Sequence, residues 1–340
     1  MNIRVYLVRR LALLVFVLTG IVVITFLVVR VMPSDPARLY LGGRARADQL
    51  AQAREELGLN KPLIIQFGIY VGDLVKGNWG ESLRTRRPVL DEIRTFFPES
   101  FELICSAMLL AAVLGIALGV LSAVRKAHAF DHVSRILAII GVSLPSFFLA
   151  LVLQVIFFEK LNILPVAGQI SVSVAQAHPV RTITGMLVVD SAIAGNFVAF
   201  WDALRHLILP TLALAAYPAG MVMRMTRSTM LEALESDYIK MARAMGVHNY
   251  YISFRYALKN SLPPVLTVFG LMIAYSLVGT FYVEQVFAWP GLGSYGTASI
   301  LSLDFPAIIG VTIVVALAYV ILNLVVDLLI VWIDPRVALS

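Results

Sequence analysis

Two histidines four residues apart, His128 and His132, head the side chains here whose types could do chemistry. On a helix that spacing puts two imidazoles on one face, where they can share a divalent ion, but no third ligand is adjacent. Gly291-Leu292-Gly293-Ser294-Tyr295-Gly296 spells G-x-G-x-x-G. That pattern cradles a dinucleotide only between a strand and a helix; here it follows a long apolar run, and its glycines are expected to shape a tight turn. No G-x-x-x-x-G-K-[ST] occurs, so the chain has no phosphate cradle for ATP of its own. Cys105 is the single cysteine, which rules out an intrachain disulfide and a cysteine metal cluster. No Ser, His and Asp set assembles into a hydrolytic motif. The expectation is a chain with no catalytic residue, no metal and no cofactor.

The elements that would have to position such groups are apolar throughout. Of 340 residues 59% are hydrophobic and 14% charged, and the mean hydropathy is +0.86. This composition belongs in a bilayer. Six runs approach the roughly 20 residues that cross a membrane as a helix: 11–29, 103–124, 136–158, 207–223, 265–283 and 305–326, the last continuing past Asp327 to residue 333. Backbone groups in lipid must pair within a helix or a closed barrel, and continuous rather than alternating apolar runs exclude the barrel. The first run is uncharged and lacks an A-x-A-like cleavage site after it, so it reads as a membrane helix rather than a signal peptide. Gly115, Gly119, Pro145, Pro210 and Pro218 lie inside these runs, as membrane bundles tolerate for close packing and bends. Ionisable residues at such depth are functional candidates by default; for Asp327 and Glu284 the expected role is structural pairing.

Charge sets orientation. Arg4, Arg9, Arg10, Arg125, Lys126, Arg135, the cluster from Arg224 to Lys259, and Arg336 fall at one set of helix ends, whereas the opposite short connections hold only Lys160, Arg181 and Arg205. The positive-inside rule then puts both termini in the cytoplasm. The net charge of +6 is orientation information, and no nucleic-acid motif accompanies it. Three parts are expected: residues 1–31, a tail with the first helix; 32–98, a small external insertion of short helices with one ending at Gly58; and 99–340, a core of five membrane helices. The semi-apolar run 183–200, interrupted by Asp190 and Asn196, is read as external rather than as a seventh span.

Residues 224–264, between the fourth and fifth spans, are charged yet helix-forming. Leu234, Tyr238, Met241, Ala242 and Met245 recur at i, i+4, i+7, i+8 and i+11, one face of a helix, with Glu232, Glu235, Ser236, Lys240 and Arg243 opposite. Asp237 is expected to cap it and Gly246 to end it. Such a helix is too short and polar to span. It lies in the headgroup layer or docks a protein, and Ala242, Ala244 and Gly246 would let another backbone approach closely.

Asp237-Tyr238-Ile239-Lys240-Met241-Ala242-Arg243-Ala244-Met245-Gly246, followed by Leu258, Asn260 and Pro264, resembles the EAA loop of ATP-binding-cassette importer permeases. Matching pieces extend nearly end to end: Arg224-Met225-Thr226-Arg227-Ser228, Phe287-Ala288-Trp289-Pro290-Gly291-Leu292-Gly293, Leu57-Gly58-Leu59-Asn60-Lys61-Pro62 and Gly77-Asn78-Trp79-Gly80. The chain resembles the first permease subunit of dipeptide, oligopeptide or nickel importers. That resemblance implies an all-α fold of six transmembrane helices of the type I importer class in the bacterial inner membrane. It also implies a second homologous permease, two ATP-binding subunits carrying the ATP and magnesium, and an external substrate-binding protein. The coupling residues it implies are Asp237, Tyr238, Ile239, Ala242, Arg243, Ala244 and Gly246. Lys240 stands where the wider family has Glu, and Met241 where it has Ala. Glutathione and nickel-chelate systems share these motifs. A secondary transporter or channel would instead need ion-coupling or filter residues and ideally inverted repeats, which are not visible.

Overall fold

The computed structural model describes residues 3–31, 46–56 and 60–333. Leu57, Gly58, Leu59, Arg336 and the rest of 32–45 and 334–340 lie outside the described residues. The described residues are helical, with one isolated bridge between Glu81 and Pro88. They group into two compact units. One contains 97–294 and the chain from Tyr319; the other contains 7–96 and 295–318.

The smaller unit holds most of α1 (Ile3–Val31), α2 (Ala47–Glu56) and α3 (Leu63–Val75). Phe26 of α1 packs edge-on against Phe67 of α3, with ring centroids 5.3 Å apart. The unit also holds the first turns of α4 (Val89–Val124). Here Asp304 accepts hydrogen bonds from the Ser82 hydroxyl and the Arg84 backbone N–H, pinning the turn before α4.

In the larger unit, the rest of α4 is followed by α5 (Ala129–Ser143) and α6 (Ser146–Gln154), which runs on as a π-helical turn to Lys160. Short helices α7 (Val172–Ala177) and α8 (Leu187–Ile193) precede α9 (Phe197–Glu235), which is 39 residues long. Then come α10 (Asp237–Ala244), α11 (Asn249–Tyr251) and α12 (Leu258–Val286), the last two joined by a π-helical stretch, Ile252–Ala257. Last come α13 (Leu292–Leu301) and α14 (Phe305–Ile333), of which residues 295–318 belong to the smaller unit.

Four of these helices are long and apolar enough to cross a membrane, in α4, α9, Asn249–Val286 and Phe305–Leu328. A fifth candidate is broken: the chain bends by 109° between α5 and the helix 146–160, so the expected continuous run 136–158 is not one straight helix. The cause is Pro145, which has no N–H to continue α5 and pushes Leu144 to extended backbone, φ −87°, ψ 127°. The first expected run, 11–29, lies wholly within α1, which is 29 residues long. The fourth expected span, 207–223, is far longer than its apolar run. It begins before Trp201 and carries the charged residues 224–235, expected as helix-forming residues between two spans, in the same continuous helix. The border drawn at 98/99 falls inside α4, where Pro98 is accommodated within the helix. The stretch 183–200 forms α8 and the start of α9, separated by a turn, rather than a span.

Glycine brings α9 against its neighbours. A Cβ on Gly119 of α4 would stand 2.5 Å from the Thr226 side chain, and one on Gly220 of α9 would stand 2.7 Å from the Ala138 carbonyl of α5. In lipid, where the hydrophobic effect does not press helices together, such close backbone packing supplies the dispersion energy that does.

Candidate docking site

The chain turns at Ser236. Its ψ of 156° breaks the helix between α9 and α10, so Leu234 is not on the face of α10 as the periodicity suggested. Ser236, not Asp237, is the N-cap, and its hydroxyl donates to the Ala233 carbonyl instead of accepting from α10. Asp237 sits in the first turn and Arg243 in the last, each with the sign that complements the helix dipole. The Asp237–Lys240 pair, at 2.8 Å, is solvent-exposed and adds little.

The far end is a Schellman turn. The Val247 N–H donates to the Ala242 carbonyl (3.1 Å) and the Gly246 N–H to the Arg243 carbonyl (3.0 Å), with Gly246 at φ +77°. A Cβ there would meet nothing within 4 Å, so glycine is required by the backbone and not by crowding within the chain.

The sequence-marked residues divide between two faces. Ile239 is fully buried, in a cluster with Val120 and Ala123 of α4, Met230 of α9, and Ile252 and Ala257. Ala242 and Val247 pack against the same cluster. Tyr238, Met241 and Met245 fall at i, i+3 and i+7 and face outward, with Met241 60% and Met245 66% exposed. Ala244, Arg243 and Gly246 are exposed too. The expected small face is therefore split, Ala242 turning inward as part of the cap contact while Ala244 and Gly246 stay accessible. Next along the chain Tyr250, Tyr251 and Phe254 are also exposed, with the Tyr250 and Phe254 rings 4.9 Å apart.

Sequence reasoning missed what holds this platform. Arg227 of α9 donates from Nε (2.7 Å) and Nη2 (2.8 Å) to the two carboxylate oxygens of buried Asp131, which also accepts from the Ser122 hydroxyl and the Ala127 N–H. Lys126 reaches Glu235 at 3.0 Å. The connection 125–135 is thus clamped to α9 at two points. Asp131 lies between the two histidines; His128 is the N-cap of α5, its Nδ1 3.1 Å from the Lys126 carbonyl oxygen.

Glu284 is fully buried and accepts from the Ser100 hydroxyl and the Ser294 N–H (2.8 Å). A Cβ on Gly291 would stand 2.3 Å from its Oε1, so the first glycine of the G-x-G-x-x-G pattern makes room for this carboxylate. Asp327 is half-buried in α14.

Residues 115–339 match the family described as binding-protein-dependent transport system inner membrane component, and residues 3–104 match its N-terminal companion family. The chain belongs to this family. It is a permease subunit of a binding-protein-dependent transport system, and a multi-pass inner membrane protein. Among its relatives, the Escherichia coli K12 protein named "Probable D,D-dipeptide transport system permease protein DdpB" is 48% identical, covering 95% of this chain and 94% of the relative. The dipeptide transport system permease DppB of Alkalihalophilus pseudofirmus is 41% identical over 98% of each chain. The glutathione transport system permease GsiC of Salmonella typhi is 34% identical over 98% of each.

Proposed function

We propose that this permease forms half of the pore of an ATP-driven importer for dipeptides, pairing with a second homologous permease and receiving substrate from an external binding protein. Two ATPase subunits carry the ATP and magnesium, and α10 is the part of this chain that seats on one of them. The observation behind this reading is the two-sided build of α10: Ile239 roots it in the cluster joining α4, α9 and Ile252–Ala257, while Tyr238, Met241 and Met245 present apolar surface outward. An element rooted in two long helices transmits a push as a rigid body, so ATPase closure would shift α4 and α9 between outward and inward states. The permease itself does no chemistry. Dipeptides are favoured over glutathione because the relatives named for dipeptides are more similar to this chain than the one named for glutathione.

In this reading there are six spans, counting α1 and the α5–α6 pair as one each. Both termini lie in the cytoplasm, residues 32–98 form a periplasmic insertion, and the core runs from 99 to 340 with its coupling loop at 224–264. The test is reconstitution of the complex with its genomic neighbours, measuring ATP hydrolysis stimulated by the binding protein and uptake of a labelled dipeptide. Ala244→Arg or Met241→Arg should abolish both while membrane insertion is unchanged. Wild-type-like uptake in both variants would sink docking at α10. Uptake driven by an ion gradient without ATP would instead favour a secondary transporter.

A further inference from the structure

We propose that the groove between α5 and α9 holds an anionic phospholipid, its phosphate on Arg135 and Arg224 and an acyl chain along Ala138, Ile139 and Val142. The groove encloses about 520 Å³, within the roughly 300–1,000 Å³ of ordinary ligand sites. Its walls run from Arg135 to Ser143 on α5 and from Gly220 to Ser228 on α9. Eight residues of rise on each make it about 12 Å long. The contact between Gly220 and the Ala138 carbonyl brings the two helices together within it.

The charges fall at one end. Arg135, Arg224 and Arg227 line the groove and no carboxylate does. Arg227 is already paired with Asp131 through Nε and Nη2. Among the described residues Arg224 reaches only the Met221 sulfur, at 3.4 Å, and both Arg224 and Arg135 are exposed. Two guanidiniums beside one groove with no counter-ion among its lining residues repel each other, and a phosphodiester accepting from both relieves this with charge-assisted hydrogen bonds. Apart from Ser143 and Ser228, the remaining wall is apolar. Ile136 and Ile140 beside it on α5 are 57% and 48% exposed, as lipid-facing side chains are. A free phosphate would leave that wall bare, and a zwitterionic lipid would bring a cation to the arginines. An inner-leaflet phospholipid with net negative charge satisfies both ends, because basic pockets between helices at the cytoplasmic surface take such headgroups. The choice of leaflet rests on the orientation proposed above; the site itself does not rest on the transport reading.

The assembled complex, purified and placed in phosphatidylcholine nanodiscs with or without photoactivatable phosphatidylglycerol, tests this. Labelling should concentrate in residues 135–143 and 220–228, and native mass spectrometry should show phosphatidylglycerol retained. The double variant Arg135→Gln, Arg224→Gln should lower retention at least tenfold, and Arg135→Lys with Arg224→Lys should largely restore it. Labelling spread evenly over the helices, equal retention in the glutamine variant, or full displacement by millimolar inorganic phosphate would overturn the proposal. So would cross-linking of a cysteine placed at Ile139 to the second permease, which would mean that a protein covers the groove. Should the glutamine variant fail to assemble, labelling of the wild-type complex decides alone. Retention is read without ATP, so a complex that transports nothing still gives an answer.

Discussion

Asp131 and Arg227, 96 residues apart in sequence, meet in a two-pronged ion pair that fastens the start of α5 to the C-terminal part of the long helix α9. The carboxylate is buried and its arginine largely so. Removing one partner leaves an uncompensated charge, which costs about 3–5 kcal/mol. Arg227→Ala should therefore lower the thermal unfolding midpoint of the purified complex markedly, whereas Arg227→Met with Asp131→Leu should recover part of the loss. Unaltered melting in Arg227→Ala would mean that water replaces the pair.

Rooting and docking should separate by mutation. Ile239→Ala empties a fully buried site at a cost of about 2–5 kcal/mol. Amide exchange across 237–247 should accelerate while the membrane helices stay protected. Ala244→Arg should leave that exchange slow and still release the ATPase subunit in pull-down. Identical exchange patterns in the two variants would contradict the two-sided reading of α10.

Gly246 is needed for its backbone. At φ +77° a side chain with a Cβ is disfavoured by about 1–2 kcal/mol, while Asn tolerates the left-handed region. Gly246→Asn should keep more of the α10 protection against exchange than Gly246→Val. If the two behave alike in exchange but both lose ATPase binding, the glycine is serving the partner's approach instead.

Asp190 carries a pH dependence. Burial pushes its carboxyl up, but hydrogen bonds from the Thr184 hydroxyl and the N–H groups of Ile183, Thr184 and Gly185 outweigh that and hold it below the usual carboxylate range. A carboxyl depressed on folding adds stability above its unfolded value, about 3.9, and loses it as pH falls through the lower folded value. Asp190→Asn should therefore lower the melting midpoint at neutral pH and reduce its decline between about pH 5 and pH 3. A wild-type slope retained in the variant would assign the acid sensitivity to other carboxylates.

The membrane class, the approximate positions of the apolar runs and the short helix at 237–244 were all legible in the sequence. Each follows from local quantities: run length against bilayer thickness, residue type and the matched motif. Gly246 ending α10 was legible for the same reason, since a left-handed cap is a property of a few consecutive residues. Helix ends were not. Local composition could not show that α9 runs unbroken to Glu235 beyond the apolar run 207–223, where packing against α4 and α12 sustains the helix. Nor could periodicity tell that Ser236 would break the helix and turn Ile239, rather than the methionines, toward the core. Which face of an amphipathic helix is buried depends on what else is within reach, and only the fold brings Val120, Met230 and Ile252 to one place. Glu284 and Asp131 make the same point. Structural pairing was the expected role of Glu284, but its partner Ser100, like the Arg227 that pairs with Asp131, comes from a distant part of the sequence that only the tertiary fold brings close.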